Sequence, residues 1–410
     1  MASRDGPAII PHFTPALPSI DMDPWCAMES PKVAPANKGP AATTLAPRVR
    51  RTLPLLGSVA CFRTLPQLAV YTEKHQALAF LDTCLRGVGQ CNFQNSPLSG
   101  LLFLVALGLS TQGLRMVAFA LLGVVSATAF SCLMGLDRNL RAAGLHGYNA
   151  TLVGCAVHTF FTGDAYGVAS LVIVLLSILS VLLATATASA LPPGLPTLTF
   201  PFQVSIWIYA LSTQLYPSLQ TMAFPAPRLV LNSTLSTASY DSAAIAQAVF
   251  SGIAETFLVG DWFPGVVMLL GIFLCSPMSA VAALLASTAV TLLAVAMQAP
   301  SAGLLLGLHG YNPVLNAIAL SGFFLAPRHW RTLVLVTACV GATFLFNCAT
   351  SSVFTILALP VLTWPFTIMT WVGLLASQSM PDLSRMPLAD LTTPEDHYEA
   401  LHRLPNESAA

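Results

Sequence analysis

"GLHGYNATLVG", from Gly144 to Gly154, returns as "GLHGYNPVLNA", from Gly307 to Ala317, 163 residues further on (309 minus 146 at the histidines). Other blocks recur at nearly the same interval. "LPTLTFPFQVSIW" (Leu195–Trp207) is echoed by "LPVLTWPFTIMTW" (Leu359–Trp371), 164 residues apart. "RGVGQCNFQNSPLSG", ending at Gly100, is echoed more faintly by "SGIAETFLVGDWFPG", ending at Gly265, which aligns Gln90 with Glu255. Blocks that keep order and spacing identify a domain-sized internal duplication, because chance matches between apolar segments do not stay in register.

Composition fixes the environment of that duplicated unit. The 410 residues are 55% hydrophobic and 8% charged, against about 25% charged in soluble domains. The chain therefore reads as an all-α integral membrane protein. Between Pro97 and Tyr216 the charges are Arg115, Asp137, Arg138, Arg141 and Asp164; between Gly265 and Gln378 they are Arg328 and Arg331. Zero formal net charge argues against nucleic acid as a partner. The nine cysteines make no CxxC or zinc-like spacing, and neither metal nor cofactor is expected.

Segments of roughly 20 apolar residues span a bilayer. Spans are expected near 97–113, 115–135, 143–162, 167–190 and 196–215, and again near 264–281, 282–299, 303–324, 332–350 and 358–378. Five per half is odd, so the second copy enters from the opposite side and the repeat is inverted. The expected organisation is a disordered amino-terminal tail (1–70), a first membrane repeat (71–215), an extracellular linker (216–242), a second membrane repeat (243–378) and a carboxy-terminal tail (379–410). Both tails are placed in the cytoplasm by the positive-inside rule, since Arg138, Arg141, Arg328, Arg331 and the cluster at 48–51 then lie inside. The linker carries a glycosylation acceptor at Asn232, whereas the "NAT" at Asn149 opens an apolar helix and is discounted. Ahead of each set of spans lies a segment too short to cross, 75–90 and 242–255. Each is either an interfacial helix or a re-entrant half-helix that ends near mid-membrane, where irregular backbone must line a cavity.

The prolines of the LPxxTxPF blocks lack an N–H and free carbonyls beside Thr199 and Thr363. Tyr148 and Tyr311 are candidate aromatic walls with Phe93, and Asn149 and Asn312, at helix starts, are candidate caps. Gln90 and Glu255 are the polar pair in the half-helices, and an acid at membrane depth is a functional candidate. Such residues suit a narrow slot on a pseudo-twofold axis for a small, flat, neutral solute rich in N–H donors. No nucleophile stands with a base, so an enzyme is not expected. A membrane hydrolase or metal enzyme built on His146, His309 and Glu255 is the rival from another class.

The paired "LPTLTFPF" and "LPVLTWPF", the paired "GYN" segments, "RGVGQ…PLSG" and the tail "RMPLADLTTPED" resemble the urea transporters of animals and bacteria over about 75–398. The resemblance implies passive, channel-type urea transport across the plasma membrane and a homotrimer with one pore per protomer. It also implies two inverted five-span repeats, each preceded by a re-entrant half-helix. Urea and small urea analogues are the implied substrates, and the lipid bilayer the implied surroundings. Carried over, Gln90 and Glu255 bind urea, Thr199 and Thr363 mark the centre, and Thr256 adds a polar contact. Phe93, Tyr148, Leu152, Tyr311 and Leu315 form the walls, with Trp262 or Phe263. His146 and His309 are candidates for a pH gate, since imidazole titrates near neutrality. A channel or coupled carrier for another small amide or for ammonia is the alternative.

Overall fold

In a computed structural model, residues 75–213, 215–219 and 240–403 are described, all within one unit that spans Thr52–Ala410. The expected 1–70 tail, most of the 216–242 linker and Asn232 lie outside the described residues.

The first half runs α1 (Gln76–Gln90), α2 (Pro97–Leu109), α3 (Gly113–Leu133), α4 (Arg138–Ala142), α5 (Tyr148–Phe160), α6 (Tyr166–Ala190) and α7 (Phe200–Ser212). The second half repeats the order as α8 (Ser242–Ala254), α9 (Trp262–Cys275), α10 (Pro277–Ala296), α11 (Ser301–Leu305), α12 (Tyr311–Ile318), α13 (Trp330–Ile356) and α14 (Trp364–Ala376). A last helix, α15 (Pro394–Arg403), follows the repeats. Among the described residues there is no strand, and a single bridge pairs Leu325 with Arg385. The duplication read from the sequence is thus present in the order and spacing of the helices.

Four helices, α3, α6, α10 and α13, are long and apolar enough to cross a membrane. Only 33–44% of the apolar window of each is buried, and Leu114, Leu133, Leu171, Leu285 and Leu333 project outward. Surface of that kind belongs against lipid. The molecule is a helical membrane protein.

The remaining expected spans are not continuous long helices. α2, α5, α7 and α14 have 13 residues each, about 20 Å at 1.5 Å per residue, against roughly 30 Å of hydrocarbon. In 196–215 and 358–378 the first apolar residues are turns, because proline withholds the N–H that would extend the helix backward. The expected boundary at 281/282 also moves. Ser276 caps α10 by accepting from Ser279 N, and Pro277 takes the first helical position, so the break falls at 276.

Close helix crossings are built on small residues. A methyl on Gly100 would lie 1.8 Å from the Leu85 carbonyl oxygen, and one on Gly265 would lie 2.0 Å from that of Phe250. α2 therefore packs tightly on α1, and α9 on α8, as small-residue interfaces in membranes do. α8, with its terminal turn to Phe257, and α9 meet at a 70° bend. The halves join along α2 and α9, where Ser99 Oγ donates to the Gly271 carbonyl (2.8 Å) and the Phe103 and Phe257 rings lie 5.4 Å apart. Phe93 packs against the apolar clusters of both halves.

Candidate functional site

The glycines that begin the two GLHGYN strings sit where their turns meet α1 and α8. Gly144 and Gly307 both have φ of +75°, and a Cβ on either would come 2.3 Å from backbone of α1 or α8. The turn thereby sets the helices α5 and α12 beside the LPxxTxPF blocks. Leu198 and Leu362 are left-handed (φ +50° and +49°), and Thr199 and Thr363 stand at the N-caps of α7 and α14 without a side-chain cap bond of their own.

The missing cap comes from across the packing. Asn149 Oδ1 accepts from Phe202 N (3.2 Å) and its Nδ2 donates to the Leu198 carbonyl (3.4 Å). Asn312 does the same with Phe366 N (3.1 Å) and the Leu362 carbonyl (3.0 Å). The expected capping role is right in kind, but the capped helices are α7 and α14, not those that carry the asparagines. The Tyr148 and Tyr311 phenols donate to the same two carbonyls. Carbonyls expected to stand free at Leu198 and Leu362 are therefore occupied, because a tyrosine and an asparagine converge on each.

Two further bonds cross between halves. Trp207 Nε1 on α7 donates to the Pro360 carbonyl (2.9 Å), and Trp371 Nε1 on α14 donates to the Pro196 carbonyl (2.7 Å). Thr199 Oγ1 pairs with Thr367 Oγ1 (3.1 Å). At the position related by the repeat, Thr363 Oγ1 and Gln203 Oε1 are buried and have no hydrogen-bond partner. An unpaired buried acceptor is costly.

Gln90 ends α1, is 7% exposed, and donates from Nε2 to the Ala143 carbonyl (3.0 Å). Glu255 follows α8 and is half-buried, and no hydrogen bond to its carboxylate is present among the described residues. Phe93 and Leu258 follow these residues at matching positive φ, +63° and +61°. Asn92 Nδ2 donates to Thr256 Oγ1 (3.1 Å), which ties the turn after α1 to the turn after α8. The two ends meet in the interior.

The family described as "Urea transporter" matches residues 81–378. Urea transporter 1 of Mus musculus and that of Capra hircus are each 30% identical over 328 residues, covering 79% of this chain and 84% of theirs. The chain belongs to the urea transporter family.

In this urea transporter the other expected residues divide by environment. Leu152 and Leu315 are each 1% exposed, in corresponding places of the two halves. Trp262 and Phe263, expected as slot walls, lie at the start of α9 and are 44% and 49% exposed. His309 lies against Phe344, ring centroids 6.0 Å apart, with neither ring nitrogen bonded. His146 is half-buried with Nε2 unpaired. Neither histidine makes a hydrogen bond to the other candidate residues. Asn149 is 2% exposed, which agrees with discounting its glycosylation triplet. Among the described residues no cluster of three metal-ligating side chains occurs.

Sequence reasoning passed over Asn92, Gln203, Trp207, Thr367 and Trp371 as site residues. Trp207 and Trp371 had a signal: both close the quoted repeats at the same offset. Asn92, Gln203 and Thr367 had none, because their partners lie 157 to 168 residues away in sequence.

Proposed function

We propose that this chain is a facilitative urea channel of the plasma membrane, not an enzyme, with a narrow slot at the junction of its halves. The observation that carries the reading is the pair of buried, partnerless oxygens on Thr363 and Gln203, which stand where the repeat places the counterparts of the bonded Thr199–Thr367 pair. Urea brings N–H donors and a flat shape. An amide stripped of water and left unpaired costs about 2–7 kcal/mol, so acceptors along the path are what allow quick passage. Glu255, whose carboxylate makes no hydrogen bond among the described residues, receives N–H groups at one step of that path, and Gln90 and Thr256 serve beside it. Thr199 and Thr363 mark the centre. Phe93, Tyr148, Leu152, Tyr311 and Leu315 hold the solute's plane.

The repeated helix order, taken with the five apolar segments per half in the sequence, supports two inverted five-span repeats, 71–215 and 243–378, about a pseudo-twofold axis that carries the pore. The short α1 and α8, with the 70° bend that follows α8, support re-entrant half-helices. A homotrimer with one pore per protomer, cytoplasmic tails at 1–70 and 379–410, an extracellular linker at 216–242 and glycosylation of Asn232 complete the proposal. The packing of His309 on Phe344 supports a packing role over a pH gate for that ring.

Purified protein in liposomes tests it directly. Urea flux should be fast, stop at equal concentrations on both sides and fall when urea analogues compete. Accumulation above equilibrium would instead identify a coupled carrier, and ammonia flux without urea flux would identify an ammonia channel.

A further inference from the structure

The segment after α14 returns across the second half rather than leaving it. Ala326 N donates to the Ser384 carbonyl (2.8 Å) and Met386 N to that of Phe324 (2.9 Å), which forms the Leu325–Arg385 bridge. Arg385 Nη2 reaches the Gly194 carbonyl of the first half (2.8 Å), and Arg331 pairs with Asp382.

α15 then buries two ionisable side chains. Glu395 is 5% exposed; its Oε1 accepts from Ser276 Oγ (3.0 Å) and Met278 N (2.8 Å) at the start of α10. Carboxylate at a helix N-terminus is favourable. His397 is 1% exposed. Thr392 N donates to its Nε2 (3.0 Å), so the ring proton sits on Nδ1 and donates to the Gly322 carbonyl (2.7 Å). Pro394 covers Gly322 so closely that a Cβ there would come within 2.4 Å of the proline Cβ. Groups of this kind are rarely buried without a partner, and each here has a partner on the membrane domain.

What they hold is the turn next to the slot. Gly322 lies in the π-turn Ala319–Phe323 that closes α12. The Phe323 and Phe324 rings that follow pack on Phe93 at 5.0 and 5.8 Å. In the first half the corresponding Phe160 and Phe161 come at the end of uninterrupted α5. We infer that Glu395 and His397 are positioning residues for the Phe93–Phe323–Phe324 wall, so that the carboxy-terminal segment sets how wide a solute the slot admits. This rests on the urea-channel reading with Phe93 as a wall.

The experiment measures permeability of the full chain in liposomes to urea and to the bulkier N-methylurea. Their ratio is read because a loss of folded protein lowers both fluxes and leaves the ratio alone. His397→Ala, Glu395→Ala and Gly322→Ala should each raise the relative passage of N-methylurea by about threefold or more, the lower range for substitutions along a packed network. Glu395→Gln keeps an acceptor oxygen for Ser276 and Met278 and should restore the wild-type ratio. Arg385→Ala removes an anchor without leaving a buried charge, so it folds and should shift the ratio in the same direction. A conducting wild type whose Arg385→Ala and other folded variants keep the wild-type ratio overturns this inference alone. A wild type without urea flux overturns the channel reading, and this inference with it.

Discussion

The two halves agree at the LPxxTxPF turns and part where neighbouring segments brace them. At the turns, Asn149 and Asn312, Tyr148 and Tyr311, and Trp207 and Trp371 make the same bonds to equivalent partners. Next to the start of α9, Asp261 accepts from Thr111 N (2.7 Å) and Gln112 Nε2 donates to the Leu258 carbonyl (3.0 Å), so one repeat braces the other. At the start of α10 and the turn that closes α12 the brace is Glu395 and His397 from the carboxy-terminal segment. The turns at Leu198 and Leu362 need the same two partners in both copies. The helix ends farther out need only be held, and whichever segment lies nearest can do it.

The largest effect expected from testing that comparison is at the shared turn. Gly144→Ala and Gly307→Ala each force a side chain into a left-handed position and into backbone 2.3 Å away. Both should abolish folded protein, read as monodisperse material on size-exclusion chromatography. Survival of one alone would show that the copies are not equivalent even there.

The next comparison sets Asn312 against Asn149. Asn312 Nδ2 also donates to Asn347 Oδ1 (3.0 Å), a bond Asn149 has no counterpart for among the described residues. Each buried group left unpaired costs about 1–3 kcal/mol. Asn312→Leu should therefore lower the thermal midpoint in detergent by more than Asn149→Leu. Equal shifts would make the Asn347 bond irrelevant.

The threonines separate stability from flux. Thr199→Val breaks the bond to Thr367 and should cost about 1 kcal/mol of stability. Thr363→Val removes a hydroxyl that has no protein partner, so stability should hold while urea flux falls by about tenfold, the equivalent of one donor–acceptor bond. Unchanged flux through well-folded Thr363→Val would assign that residue to packing.

The smallest effect is expected where the copies already differ chemically. Glu255→Gln gives the second half the amide that Gln90 supplies in the first, so urea flux should stay within about twofold of wild type, a change below 0.5 kcal/mol. Glu255→Ala should lose most of it. Equal losses in both variants would make the charge itself necessary and favour a cation as the solute.

Much of this architecture was legible as text. The duplication, the membrane setting and the family followed from strings at constant offset and from 8% charge, because spacing and solvent preference are properties of sequence itself. Helix ends were less legible. The run at 196–215 looks uniformly apolar, yet helix begins only at Phe200, since hydropathy does not report whether an N–H has a partner. Direction was hidden as well: Asn149 and Asn312 read as caps, and only packing shows that they cap α7 and α14. The partnerless oxygens of Thr363 and Gln203, the Asn92–Thr256 tie and the burial of Glu395 and His397 were decided by tertiary structure alone. Each depends on two groups more than a hundred residues apart, or on a tail folding back over a turn. No local pattern encodes such a meeting, because the free energy of a polar contact comes from what surrounds both partners once they are buried together.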